Sequence, residues 1–415
     1  MADTLLPTPQ PGAAAATAWV ASHLSAVTLE PAGQVAASPA FRGGQRAADE
    51  ALRDFDVTGY AGARNEVWPR NRRGASALSP WIRHGLLPLR RVWEHVGGGP
   101  DPDVRKLRDE LLWQEYARHV YARLGTTNAA ALRYAVPDRT HPAPAPAQVW
   151  DSRMACLHLA TDELHRDGWL VNQTRLWLAA HWSVRQDWGW RDGEDVFFTH
   201  LLDGSRAANR LGWQWAVGAG TGAPYGFSRW QVEHRAPGLC DRCELSSACP
   251  VQERPPEVPR TPLPHPSSLL GIDPEPDRTA GPQRPTAAAT PDVVWLTAES
   301  LGDDDPALAA YPDLPVLFVF DAPLLARLRL SGKRLVFLAE TLADLATRRE
   351  VQVHLGRPQQ VLVTRQPAVT FAPVPGMRRH LAGVTAADVH PWPWLVRPHD
   401  GKLTSFSAWR RAARV

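Results

Sequence analysis

A mostly helical part followed by a parallel α/β part is the fold class this sequence predicts, on three observations. Before Pro255, apolar residues recur at helical spacing. Between Pro255 and Pro285 stand ten prolines, which rule out continuous helix or sheet. From Val293 onward, short apolar runs alternate with helical stretches, the pattern of strand-helix units.

In chain order, Ala47–Phe55, Leu107–Leu124, Ser152–Leu164 and Asn172–Trp182 read as helices, broken from one another by Gly and Pro. The Pro255–Pro285 stretch reads as a linker. Val293–Leu296 and Val316–Phe320 read as buried strands and Val351–Leu355, which alternates, as a third; Pro306–Ala310 and Leu335–Thr347 lie between them as helices. The expected organisation is an extension at 1–40, a helical domain at 41–250, a Pro-rich linker at 251–290 and an α/β domain at 291–415. There is no internal repeat.

The chain has 415 residues, 44% hydrophobic and 21% charged, which suits two packed domains. With 46 Lys+Arg against 43 Asp+Glu the net charge is +3, so only local patches could point to nucleic acid. One such patch is Arg64–Arg91, where seven arginines stand against a single acid, Glu66. Residues 1–40 carry no Lys or Arg, so the basic start of a secretory leader is missing, and no long uncharged apolar run appears. A cytoplasmic protein is expected, in which four cysteines are free, catalytic or metal-binding rather than disulfide-bonded. The 18 tryptophans outnumber 10 Phe and 6 Tyr; core and interface packing accounts for most of them, and the ring is redox-active as well as apolar.

Cys240-Asp-Arg-Cys243 and Cys249-Pro250 give C-x2-C-x5-C, and Cys156 is the remaining cysteine. A short C-x2-C puts two thiolates on one turn, and four ligands suit zinc or a [4Fe–4S] cluster. Free buried thiols are the plainer reading.

Phe41-Arg-Gly-Gly44, Tyr60, Arg64, Ser76-Ala-Leu-Ser-Pro80, Glu110-Leu-Leu-Trp113, Gly168-Trp-Leu-Val-Asn172 with Arg175, Asp203-Gly-Ser-Arg-Ala-Ala-Asn209 and Gly212-Trp-Gln-Trp215 follow one another in an order that resembles the flavin-binding domain of DNA photolyases and cryptochromes. The resemblance implies a mainly α-helical FAD-binding domain. Within it Tyr60, Ser76, Leu78 and Ser79 would wrap the phosphate and ribityl region of FAD, and free N–H groups at a helix start suit a pyrophosphate. It implies an Arg175–Asp203 pair beside the isoalloxazine ring, with Asn172, Ser205, Ala208 and Asn209 near it and Asn209 facing N5. Glu110 and Trp113, three apart on one helix face, match the lesion-contacting acid and tryptophan. Trp213 and Trp190 match the proximal and middle tryptophans of an electron relay, with Trp150 a candidate third. Gln114, Leu107, Leu176 and Ser205 depart from the common residues at their positions.

The cysteine placement resembles the bacterial iron–sulfur branch of the family, which favours a [4Fe–4S] cluster over zinc. Asp304–Ala310, Val316–Asp321, Ser331–Glu340, Leu355–Pro358 and Asp400–Trp409 resemble the family's α/β antenna domain, here following the flavin domain instead of preceding it. Its entry is altered to Leu296-Thr-Ala-Glu-Ser300, leaving an antenna chromophore open. The function implied is a monomeric, light-dependent lyase that uses reduced FAD to split pyrimidine dimers in UV-damaged DNA. A cryptochrome-like photoreceptor without repair activity is the alternative.

Overall fold

A computed structural model describes residues 3–137 and 149–415. Its sheet has seven strands in the order β1-β5-β4-β3-β6-β7-β2. Strands β3 (Val293–Leu296), β4 (Val316–Asp321), β5 (Val351–Gly356), β6 (Pro367–Thr370) and β7 (Asp388–His390) are parallel. Helices cover both faces, so β3 and β6 are buried at every position and read as continuous apolar runs. The edges are closed by short antiparallel strands, β1 (Thr4–Leu6) against β5 and β2 (Thr286–Ala287) against β7.

Strand β1 belongs to residues 1–40, which the sequence presents as an extension. They are a built part of the α/β layer: Thr4 pairs with Leu355, and helix Ala13–His23 packs on helix Gly332–Ala346. A three-residue strand has no periodicity to read, and its partner lies about 350 positions away. The Pro-rich stretch is also docked. Leu263 N–H donates to Arg133 O and Leu403 N–H to Leu269 O, while Thr286 and Ala287 form β2.

The helical part is organised by helix Asp101–Leu124, 24 residues long, with Asp101 and Asp103 in its first turn and Gly125 at φ 58 ending it. Helix Arg206–Ala216 packs against it, and helices Ala155–Arg166, Asn172–Ala180 and Trp190–His200 pack behind that helix and on one another. The expected Asn172–Trp182 helix ends at Ala180 and continues as a π-helical turn, His181–Arg185.

The two parts share one core, in which Leu78, Trp81 and Leu111 join Val294, Phe318 and Leu335. Polar contacts fix their docking. Arg83 meets Glu299 through two bonds of 2.7 Å, and Arg334 donates to the carbonyls of Phe198 and Gly204. The strand order reverses between β3 and β6, where open α/β sheets offer a crevice. Here the loop after β3 lies tightly on the helical part: a Cβ on Gly302 would come 2.4 Å from Gly85 O.

Candidate flavin cleft and cysteine pocket

The largest concentration of the sequence-singled residues lies in a single cleft. Glu110, Trp113, Gln114 and Arg118 line one wall, at spacings that share a face of the long helix. Ser76 and Ser79 also line it, as does Ala77 between them, whose φ of 54 is left-handed and therefore strained for a non-glycine residue. Ser79 Oγ accepts a 3.0 Å bond from Trp169 Nε1, a second wall residue. Tyr60, Asn172, Arg175, Asp203, Ser205, Ala208, Asn209 and Trp213 complete the match to the expected set.

The floor carries an ion pair and three unmet polar atoms. Arg175 Nη2 donates to Asp203 Oδ2 at 2.7 Å, and Asp203 is nearly buried. Asp203 Oδ1, Asn209 Nδ2 and Trp213 Nε1 are buried without a hydrogen-bond partner among the described residues. Such orphaned groups are costly unless a bound molecule satisfies them. An acceptor, an amide donor and an indole donor in one cleft fit the polar edge of a flavin. Ser205 caps helix Arg206–Ala216, its Oγ accepting from Ala207 N–H, and so fixes Ala208 and Asn209 at the cleft.

At the mouth, Glu110 is half exposed and held by Arg64 at 3.3 Å and Lys106 at 2.9 Å. Burial raises the Tyr60 phenol well above its ordinary value, and the Glu110 carboxylate adds to the shift, so this hydroxyl stays protonated. Behind the floor, burial pushes Glu194 up to about 7 against the opposing guanidinium groups of Arg206 and Arg210.

Two expected site residues are placed differently. Leu78 is 1% exposed and belongs to the shared core, so its side chain does not line the cleft. A Ser-x-x-Ser turn that offers its hydroxyls to the cleft sends the intervening apolar chain inward. Trp190 is buried but does not line the cleft, and the rings that meet Trp213 edge-on are Phe197, at 5.0 Å between centroids, and Trp182, at 6.4 Å and 88° between planes. Trp150 lies 5.2 Å from Trp182. Trp182 was passed over because it reads as the apolar end of a helix. Arg118 was also missed; it lines the cleft while its guanidinium lies 4.7 Å over Trp392 of the α/β part.

The Arg64–Arg91 patch is largely neutralised in the fold. Arg70 and Arg73 share Glu163, Arg72 meets Glu66, Arg83 meets Glu299, Arg91 meets Asp49 and Arg64 meets Glu110. Four of these acids come from distant sequence, which is why a local charge count overstated the patch.

The four cysteines converge. Cys156, Cys240, Cys243 and Cys249 line one small cavity with Met154, Leu239 and Val251. Cys240 and Cys243 sit on a single 3-10 turn, and Cys243 Sγ is approached by Ala155 N–H at 3.5 Å. All four are free thiols. Burial raises Cys156, followed by the charges of the other three, and burial pushes Cys240 up to about 11. Among the described residues no three His, Cys, Asp or Glu side chains are arranged to hold a single metal ion. Nor is any helix among them long and apolar enough to cross a membrane.

A family profile, the FAD binding domain of DNA photolyase, matches residues 107–234. The chain is 34% identical over 194 residues to the deoxyribodipyrimidine photo-lyase of Thermus thermophilus, covering 44% of each chain. It is 33% identical over 123 residues to the enzyme of that name from Escherichia coli, covering 28% of this chain and 26% of that one. It thus spans less than half the length of these relatives. A cryptochrome crystal structure from Synechocystis superposes with a TM-score of 0.42 at 22% identity, over 48% of this chain and 44% of that one. Most of the cleft-lining residues, from Glu110 to Trp213, lie within the matched region, which is similar to the FAD binding domain of DNA photolyase.

Proposed function

We propose that the chain binds FAD in the cleft and acts as a light-dependent lyase on pyrimidine dimers in UV-damaged DNA. The observation that carries this reading is that Glu110 and Trp113 line the same cleft as the unmet polar groups of Asp203, Asn209 and Trp213. Bound there, reduced FAD would supply the photoexcited electron that opens a dimer and would take it back. The protein's share is binding and orientation. Ser76 and Ser79 hold the phosphate end, Arg175 and Asp203 fix the ring edge, and the Asn209 amide donates without carrying charge. Trp113 presents a face on which extruded bases can stack, and extrusion costs least at a damaged, poorly stacked step.

The competing reading is a photoreceptor without repair. It is favoured by the Arg64 and Lys106 contacts that already occupy Glu110. Chemically reduced protein, given UV-damaged duplex and blue light, separates the two: dimers disappear under the first reading and persist under the second.

The cysteine cavity is assigned a [4Fe–4S] cluster. Four thiols around one apolar pocket support it. Anaerobically prepared protein should contain iron and sulfide, both lost in Cys243→Ala; zinc alone in the metal analysis contradicts the assignment.

A further inference from the structure

The turn that carries Asp203 is held from behind by the α/β part. Between helices Trp190–His200 and Arg206–Ala216 the chain reverses through Leu201–Ser205. Carbonyls of this turn and of the helix end before it are received across the junction. Ser331 N–H donates to Thr199 O at 3.0 Å. Arg334, near the start of helix Gly332–Ala346, donates to Phe198 O through Nη1 and to Gly204 O at 3.2 Å through Nη2. Gly204 O also accepts from Arg83 Nε at 2.9 Å, and both Nη atoms of Arg83 are gripped by Glu299 at 2.7 Å. One peptide oxygen thus lies between two guanidinium groups, one supplied by the α/β part and one aimed by it.

The fit is close. A Cβ on Gly204 would fall 2.8 Å from Leu201 O and 2.9 Å from Arg334 Nη1, so a side chain there would push the guanidinium away. Arg334 is 4% exposed, and its guanidinium lies 4.8 Å over the Phe198 ring, as does that of Arg206 at 4.0 Å. Arg206 opens the helix that presents Asn209 and Trp213 to the cleft. Burial and the neighbouring Arg83 charge pull Arg334 down to about 9, opposed by Asp203 and Glu299, so it stays charged at neutral pH. A charged donor that water cannot reach holds main-chain carbonyls more firmly than a neutral one would.

We propose that Arg334 and Glu299 are positioning residues of the flavin cleft, an assignment that rests on the cleft holding FAD. By clamping Gly204 O from the α/β part they fix the Asp203–Ser205 turn in the arrangement that receives the cofactor. Neither side chain lines the cleft, so both act through the clamped peptide. Asp203 stands on one side of it and Ser205, the cap of helix Arg206–Ala216, on the other. A shift of that peptide displaces the acceptor Asp203 Oδ1 and the donor Asn209 Nδ2, the orphaned groups through which the cleft meets its ligand. The α/β part therefore serves flavin binding by contact, whatever it binds itself.

The test titrates the whole flavin-free chain with FAD. Arg334→Lys keeps the charge but loses the two-pronged donor, and Glu299→Gln keeps the shape but loosens its hold on Arg83. Each should weaken FAD binding roughly tenfold or more, the effect of losing one hydrogen bond to a charged group. At saturating FAD each should also change the visible circular dichroism of the flavin, which reports on the groups around its ring. Asp203→Asn supplies the second arm of a double-mutant cycle: the factor due to Arg334→Lys should shrink in that background, because both changes act on one turn. If Arg334→Lys does not fold, Glu299→Gln, on a part-exposed side chain, is carried through the same cycle. Native affinity or a native flavin spectrum in both single variants, or an equal factor in the two backgrounds, overturns the proposal while leaving FAD binding intact. Failure of the unmodified protein to bind FAD overturns both.

Discussion

Single residues at the cleft make separable contributions. Stacking of a base on an aromatic ring is worth roughly 1–3 kcal/mol, which is about five- to a hundredfold in binding. Trp113→Ala should therefore weaken binding to damaged DNA by about that factor in a titration while leaving flavin content unchanged. Asp203→Ala leaves the Arg175 guanidinium without its partner and removes an acceptor at the floor, so flavin should be lost on gel filtration, read from the visible absorbance. Most of these residues were legible in the sequence because each sits in a short ordered motif, and twelve cleft positions from Tyr60 to Trp213 were recovered that way. What motifs do not carry was missed. Leu78 lies in the Ser76–Ser79 turn but faces the core, and Trp182 and Arg118 have roles set by partners that only the fold brings near.

At the scale of elements, the long helix carries both the cleft wall and a buried acid on its other side. Glu115 is fully buried and accepts from Leu395 N–H at 2.6 Å and Val396 N–H at 3.0 Å, tying the C-terminal segment to the helix. Burial pushes its carboxyl up to about 7, against the opposing effect of Arg118 and the two N–H donors. Its folded value lies above the unfolded value of 4.5, so the folded state holds the extra proton between those limits. Its contribution to stability is then greatest at low pH and falls as pH rises from about 4.5 to about 7. Glu115→Gln keeps an acceptor and cannot ionise, so its melting temperature relative to the native protein should rise between pH 5 and pH 8. A difference that is flat or falls over that range would contradict this account. Helix and strand positions were readable where periodicity was strong, as at Leu107–Leu124 and Val316–Phe320. Strand β1 was not, because three residues paired across nearly the whole chain leave no local pattern.

The whole molecule explains how a helical part and an α/β part in this order form one body. The chain begins in the sheet, crosses to the helical part, returns through a docked Pro-rich stretch and ends with helix Phe406–Ala412 against the long helix, where Trp409 lies 5.8 Å from Tyr116. The order of the parts was legible from composition alone; their shared core, the Arg83–Glu299 bridge and the neutralised arginine patch were not, since each joins residues distant in sequence. What this body is built to do is tested most directly by counting pyrimidine dimers in a UV-damaged duplex incubated with FAD-loaded, chemically reduced protein, in blue light and in the dark. The account predicts a loss of dimers in the light alone, reduced in Trp113→Ala. Equal dimer counts in light and dark, with FAD bound, would contradict it.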